Sequence, residues 1–68
     1  MTKPIFCNMP TDQGYKYVNI SNIASIDSIN NKTFVTLNVK DKENIYISFF
    51  VNLDWGWLTG EINRLLAN

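Results

Sequence analysis

The side chains most able to do chemistry here are one thiol, Cys7, and six carboxylates: Asp12, Asp27, Asp41, Glu43, Asp54 and Glu61. Histidine is absent. A nucleophilic thiol needs an imidazole or a cation beside it to become a thiolate, and no such base is in sight. Cys7 therefore reads as a small buried hydrophobe. The carboxylates fall singly in turns, at a helix start or on solvated faces, so no pair is poised for acid–base exchange. There is no glycine-rich phosphate loop and no metal-ligand spacing. The expectation is a non-catalytic protein with no cofactor and no metal.

What remains is apolar and aromatic surface. Trp57 stands between Gly56 and Gly60, off the main apolar stripe of the helix predicted there. Two readings stay open. An exposed Trp beside a flat glycine groove is a preferred anchor for a partner or a second subunit. Alternatively, the turn around Asp54–Trp57 folds both tryptophans into one core. A second candidate is the outer face of the sheet, where Phe6, Tyr15 or Tyr17, Phe34, Tyr46 and Phe50 can point away from the helix. A bent sheet would bury them. Left bare, such a patch marks a protein contact, or a stacking platform for single-stranded nucleic acid.

The elements that must position these residues begin with Thr33–Val51, TFVTLNVKDKENIYISFFV, which reads as a β-hairpin. Placing Val39 opposite Ile45 puts Leu37 opposite Ile47 and Val35 opposite Phe49. These six side chains then share one face. The other face pairs Asn38 with Tyr46, Thr36 with Ser48 and Phe34 with Phe50. A slip of one residue would exchange the faces, so the register is strongly specified. The loop Lys40–Asn44 lacks glycine, which predicts a loop of three to five residues with Asn44 at positive φ. The run Ile45–Val51 has neither charge nor proline and is prone to aggregate unless covered. It is expected as a central strand, or as an edge closed by a second subunit.

Upstream, Ile5–Met9 and Tyr15–Ile20 form a predicted hairpin across the turn Thr11–Gly14. Ile5, Cys7 and Met9 share one side. Ser21–Ile29 is ambiguous between helix and strand. A turn at Ser21–Ala24 and a short strand over Ser25–Ile29 fit its Ser, Asn and Asp content better. Asn30–Lys32 is the next turn. A C-terminal helix over about 53–67, capped by Asn52 or Asp54, carries Trp55, Leu58, Ile62, Leu65 and Leu66 as one apolar stripe. That stripe is expected to pack on the Val35/Leu37/Val39/Ile45/Ile47/Phe49 face. The two glycines inside the helix cost about 1 kcal/mol each, so packing must hold it.

The chain of 68 residues is a single domain, 1–68. A core of this size supplies only about 3–5 kcal/mol. With one cysteine there is no internal disulfide, which leaves self-association as the remaining support. Lys plus Arg and Asp plus Glu both number six, for a net charge of zero. A duplex-DNA binder needs a basic surface, and the densest charge cluster, Lys40–Glu43, is of mixed sign. No apolar run is long enough for a signal peptide or a membrane span, so the expected compartment is cytoplasmic. Abundant Asn, Ile, Lys and Ser hint at an AT-rich source such as a low-GC bacterium or its phage.

The string YVNISNIASIDS…TFVTLNV over Tyr17–Val39, followed by a strand and a short helix, resembles the small flagellar FlbD/SwrD-like proteins. It is also similar to part of the LytTR-type DNA-binding domain. In both, an aromatic-aliphatic strand meets a turn, an isoleucine-acidic strand and a hairpin. The basic loop residues of LytTR-type domains have no counterpart here, so the resemblance implies architecture and not duplex binding. Cold-shock domains share the length and the aromatics but not their RNA-binding strand motifs. The resulting expectation is an α+β fold: a meander of about four antiparallel strands against one C-terminal helix. Its function would be that of a small protein-binding module, homo-oligomeric, modulating a partner as a bacterial accessory protein or a phage or mobile-element inhibitor. The alternative is a single-stranded nucleic-acid binder using the outer aromatics.

Overall fold

Turn chemistry divides the chain. In the computed structural model, which describes residues 3–67, Asn30 and Asn31 both adopt positive φ, 52° and 64°. Asparagine tolerates this conformation, and two such residues make the tight reversal whose twist suits a hairpin. Gly14, at φ 108°, closes the first hairpin after Asp12 and Gln13. There Thr11 Oγ1 donates to Gly14 O at 2.7 Å and accepts from Gln13 N.

The strands between these turns are β1 (Phe6–Thr11), β2 (Gly14–Asn19), β3 (Ile23–Ile29), β4 (Lys32–Lys40) and β5 (Tyr46–Val51), with helix α1 at Trp55–Ala67. A single 3-10 turn, Ile20–Asn22, joins β2 to β3. Asn19 caps that turn, its side-chain oxygen accepting from Ser21 N. The ambiguous segment is thus strand over Ile23–Ile29, with an irregularity between Ile23 and Ser25. The α+β class is as expected. The meander, however, has five strands and not four, split into an antiparallel pair β1-β2 and an antiparallel triplet β3-β4-β5.

The two sheets close on one core. Cys7 and Met9 from β1, Val18 from β2, Val35 from β4, Val51 from β5 and Leu58 and Ile62 from α1 are all buried together. Ile20, from the 3-10 turn, joins them. Alternation selects the side chains: Cys7, Met9 and Val18 point in while Tyr15 and Tyr17 point out. At one end the sheets are tied by Asn52 N donating to Pro10 O at 2.8 Å, and by Asn52 Nδ2 donating to Asp12 Oδ1. That contact sets β1 beside the end of β5. In sheet terms β5 is an edge, pairing only with β4.

The hairpin register is as expected at its base, with Phe34 opposite Phe50, Val35 opposite Phe49 and Thr36 opposite Ser48. Toward the tip it changes. Lys40 and not Asn38 faces Tyr46, so Leu37, Asn38 and Val39 stand against Ile47 alone. The Val39–Ile45 and Leu37–Ile47 pairings therefore do not form. The cause lies in the loop. Asp41 Oδ1 accepts from Glu43 N and Ile45 N, and Asp41 N–H donates to Ile45 O. This sets Asp41 opposite Ile45 around the three residues Lys42–Asn44, with Asn44 at φ 64°. A carboxylate that gathers two backbone N–H groups outweighs the preference for one more apolar pair.

The helix begins at Trp55, two residues later than expected, and Asp54 is its cap. Asp54 Oδ2 accepts from Trp57 N at 3.1 Å, and its carbonyl accepts the first helical bond, from Leu58 N. Leu53, just before the cap, packs on the core that holds Leu58, as a hydrophobic staple does. Thr33 Oγ1 donates to Leu53 O at 2.6 Å, tying the start of β4 to the approach of α1. The expected stripe is only partly enclosed. Leu58 and Ile62 are buried and Leu65 packs beside them, but Leu66 is exposed. Trp55 lies at the surface, its Nε1–H donating to Ile26 O at 2.9 Å. It pins the helix start to β3 without filling the core.

Candidate interaction surface

The titratable side chains are dispersed into local structural tasks. Asp41 holds the β4–β5 loop, Asp54 caps α1, Asp12 accepts from Asn52 and Asp27 accepts from Ser25. Arg64 Nε donates to Glu61 Oε1 at 2.6 Å. That hydrogen bond, with the attraction between the charges, holds the Glu61 carboxyl below its usual range and the Arg64 guanidinium above its own. Burial, and secondarily the Glu61 carboxylate, push the Cys7 thiol above its ordinary 9.0. Cys7 is thus a neutral, enclosed group. Among the described residues no three of Cys, Asp and Glu stand close enough to hold a metal ion. Among the described residues no helix is long and apolar enough to cross a membrane.

Trp57 is 55% exposed. The helix turns Leu58 and Ile62 inward, and one residue earlier in phase Trp57, Glu61 and Arg64 follow each other up the flank beside that buried stripe. Gly56 and Gly60 lie at the surface beside it. A Cβ at Gly60 would meet nothing within 4 Å, whereas one at Gly56 would meet the capping carboxylate of Asp54 at 3.1 Å. Gly60 therefore leaves open surface, and Gly56 makes room for the cap.

The aromatics of the outer face do not form one row, because the sheet is divided. Tyr17 stacks on Phe6 with ring centres 4.8 Å apart and planes at 9°, and Tyr15 stands bare on the same strand. Phe34 and Phe50 form a tilted pair on the outer side of the triplet, ring centres also 4.8 Å apart. Tyr46 sits toward the hairpin tip. Three ammonium groups lie over aromatic rings: Lys16 over Phe49, Lys32 over Phe50 and Lys40 over Tyr46, 4.9–5.8 Å from the ring centres. Such contacts hold the lysine stems on apolar surface and leave their charge at its rim.

The apolar surface most easily missed in the sequence is the inner side of the hairpin tip. Val39 and Ile45 were expected beneath the helix but are exposed. Together with Leu37 and Ile47 they form an overhang. An open groove of about 460 Å³ runs between this overhang and β2, with Tyr17 and Val18 on its other wall. Only the two-residue shift in register could have signalled it, through the affinity of Asp41 for nearby N–H groups. Comparison with protein-family models, with curated proteins and with solved structures yields no match.

Proposed function

We propose that this protein is a non-catalytic binding module that docks on a partner protein through the Trp57 side of α1, and that it self-associates. It modulates that partner as a bacterial accessory or phage-type inhibitor would, in the cytoplasm. The observation that carries the reading is Trp57: a large aromatic in water on a helix side where Gly60 adds no bulk. Aromatic anchors of this kind supply much of the energy of protein interfaces. The dispersal of the carboxylates into caps and turns supports a role without catalysis.

The test is capture from a lysate of the source cells. The intact chain is expected to retain a partner that the Trp57→Ala variant loses while keeping its circular dichroism. Equal retention by both removes the Trp57 surface. The second reading, single-stranded nucleic-acid binding, is favoured by the Phe6–Tyr17 stack and by the lysines laid over rings. It predicts salt-sensitive quenching of tryptophan by short oligonucleotides. No quenching at low salt eliminates it.

A further inference from the structure

The β4–β5 hairpin holds two registers in one ladder. Continued past the Thr36–Ser48 pair, the base register would set Asn38 opposite Tyr46, but Lys40 stands there instead. The tip is thus displaced by two residues relative to the base. A slip of one residue exchanges the faces of a strand, whereas a slip of two returns every side chain to the face it left. The alternation of apolar side chains, which fixes the base, therefore does not discriminate between the two registers at the tip. Packing does not discriminate either, because Val39 and Ile45 are exposed in the observed register.

What holds the observed register is local. Asp41 Oδ1 accepts from Glu43 N at 2.9 Å and from Ile45 N at 3.1 Å. Asp41 N donates to Ile45 O, and Asn44 N donates to Asp41 O. Asn44 sits at φ 64°, the left-handed position that closes a three-residue hairpin loop. Each of these bonds begins and ends within residues 41–45. Against them stand Leu37, Asn38 and Val39, which share Ile47 as their one facing residue. A bulge of this kind leaves main-chain groups without ladder partners.

We propose that the outer half of this hairpin is a two-register switch, with Asp41 and Asn44 as its locks. With both in place, the extra residues stay in the β4 bulge and the loop is Lys42–Asn44. With the Asp41 acceptor removed, two residues pass from the bulge into the loop, which becomes Lys40–Asn44. The ladder then runs unbroken from Thr33–Val51 to Val39–Ile45. The base does not move, because Thr33, Val35 and Val51 are buried. Two arrangements of one segment that differ by a few hydrogen bonds make a bistable element.

The slip changes the exposed end of the molecule. The Lys40 ammonium, 4.9 Å from the ring centre of Tyr46 in the observed register, leaves that ring and Asn38 takes its place. Val39 and Ile45 become a directly opposed pair beside Leu37 and Ile47. One loop carboxylate thereby sets the shape of the apolar overhang, independently of any docking by Trp57.

The test is intramolecular cross-linking from a cysteine at position 46. Tyr46→Cys is combined with Lys40→Cys or with Asn38→Cys, all three positions being exposed, and the buried Cys7 is left in place. Directly opposed positions lie within reach of a disulfide, and positions two residues along the strand do not. Under mild oxidation the Lys40→Cys pair is expected to close faster when Asp41 and Asn44 are present. Adding Asp41→Ala is expected to shift the ratio of the two closing rates toward the Asn38→Cys pair by about tenfold or more, the worth of one charge-assisted hydrogen bond. Asn44→Val, which resists positive φ, shifts the ratio the same way, and Asn44→Gly shifts it the opposite way. Circular dichroism confirms that each variant is folded. An unchanged ratio in either Asp41→Ala or Asn44→Val overturns the proposal. So does equal closure of both pairs, which is a frayed tip and not a second register, or faster closure of the Asn38→Cys pair with Asp41 and Asn44 present.

Discussion

The base and the tip of the β4–β5 hairpin have the same apolar alternation and different fates. At the base, Thr33, Val35 and Val51 are buried against β1 and α1. At the tip, Val39 is 39% and Ile45 58% exposed, although both are as apolar as Val35. The difference lies in what stands opposite. The helix delivers Leu58 and Ile62 to the base, and β1 delivers Cys7 and Met9. The nine residues of β4 outrun both the six of β1 and the six of β2, so nothing of this chain covers the far end. Periodicity says which side chains share a face, and burial needs a second surface of matching length.

The largest expected effect that separates the two ends is Val35→Ala against Val39→Ala. Removing two buried methyl groups and leaving their cavity should cost about 2–3 kcal/mol at Val35. Val39→Ala should stay within about 0.5 kcal/mol at protein concentrations where the chain is monomeric. Urea unfolding at unchanged m-value measures both. Equal losses would mean that the tip is enclosed as tightly as the base, and a Val39 effect that grows with protein concentration would sharpen the contrast by locating its cover in a second chain. Next is Thr33→Val. It keeps the shape but leaves Leu53 O without its hydroxyl donor, at a cost of about 1–2 kcal/mol. Thr36→Val, half-buried on the outer side of the same strand, should cost less than half as much.

The smallest effect is the pH dependence contributed by Cys7. Its thiol is held above 9.0 by burial and then by Glu61, so the folded chain keeps a proton that the unfolded chain releases. Its contribution to stability is therefore full below about pH 9 and is lost as pH rises through the folded value. Unfolding curves of the intact chain and of Cys7→Ala should keep a constant separation below pH 9. Above it, the intact chain should lose stability relative to the variant. A separation that does not change up to pH 11 would place Cys7 in contact with water.

Much of the local structure was legible because it rests on residues acting within a few positions of themselves. Asn30 and Asn31 announced a turn, Asn52 or Asp54 a helix cap, Asn44 a positive φ and Cys7 with Met9 a shared side. The candidate surface was legible only in part. Trp57 and Tyr17 could be named, but the sequence left open whether Trp57 joined the core. Alternation presents the outer aromatics as a single row because nothing in it marks where a sheet divides.

By itself the sequence determined the turns, the two hairpins and the C-terminal helix, since hydrogen bonds and periodicity act over a few residues. Only the tertiary structure decided that five strands form two sheets, that Asp41 moves the tip register by two residues, and that β2 keeps an open edge over a bare apolar overhang. Those outcomes depend on competition between distant segments for a limited core, and the winner of that competition is set by lengths and contacts that no single stretch contains.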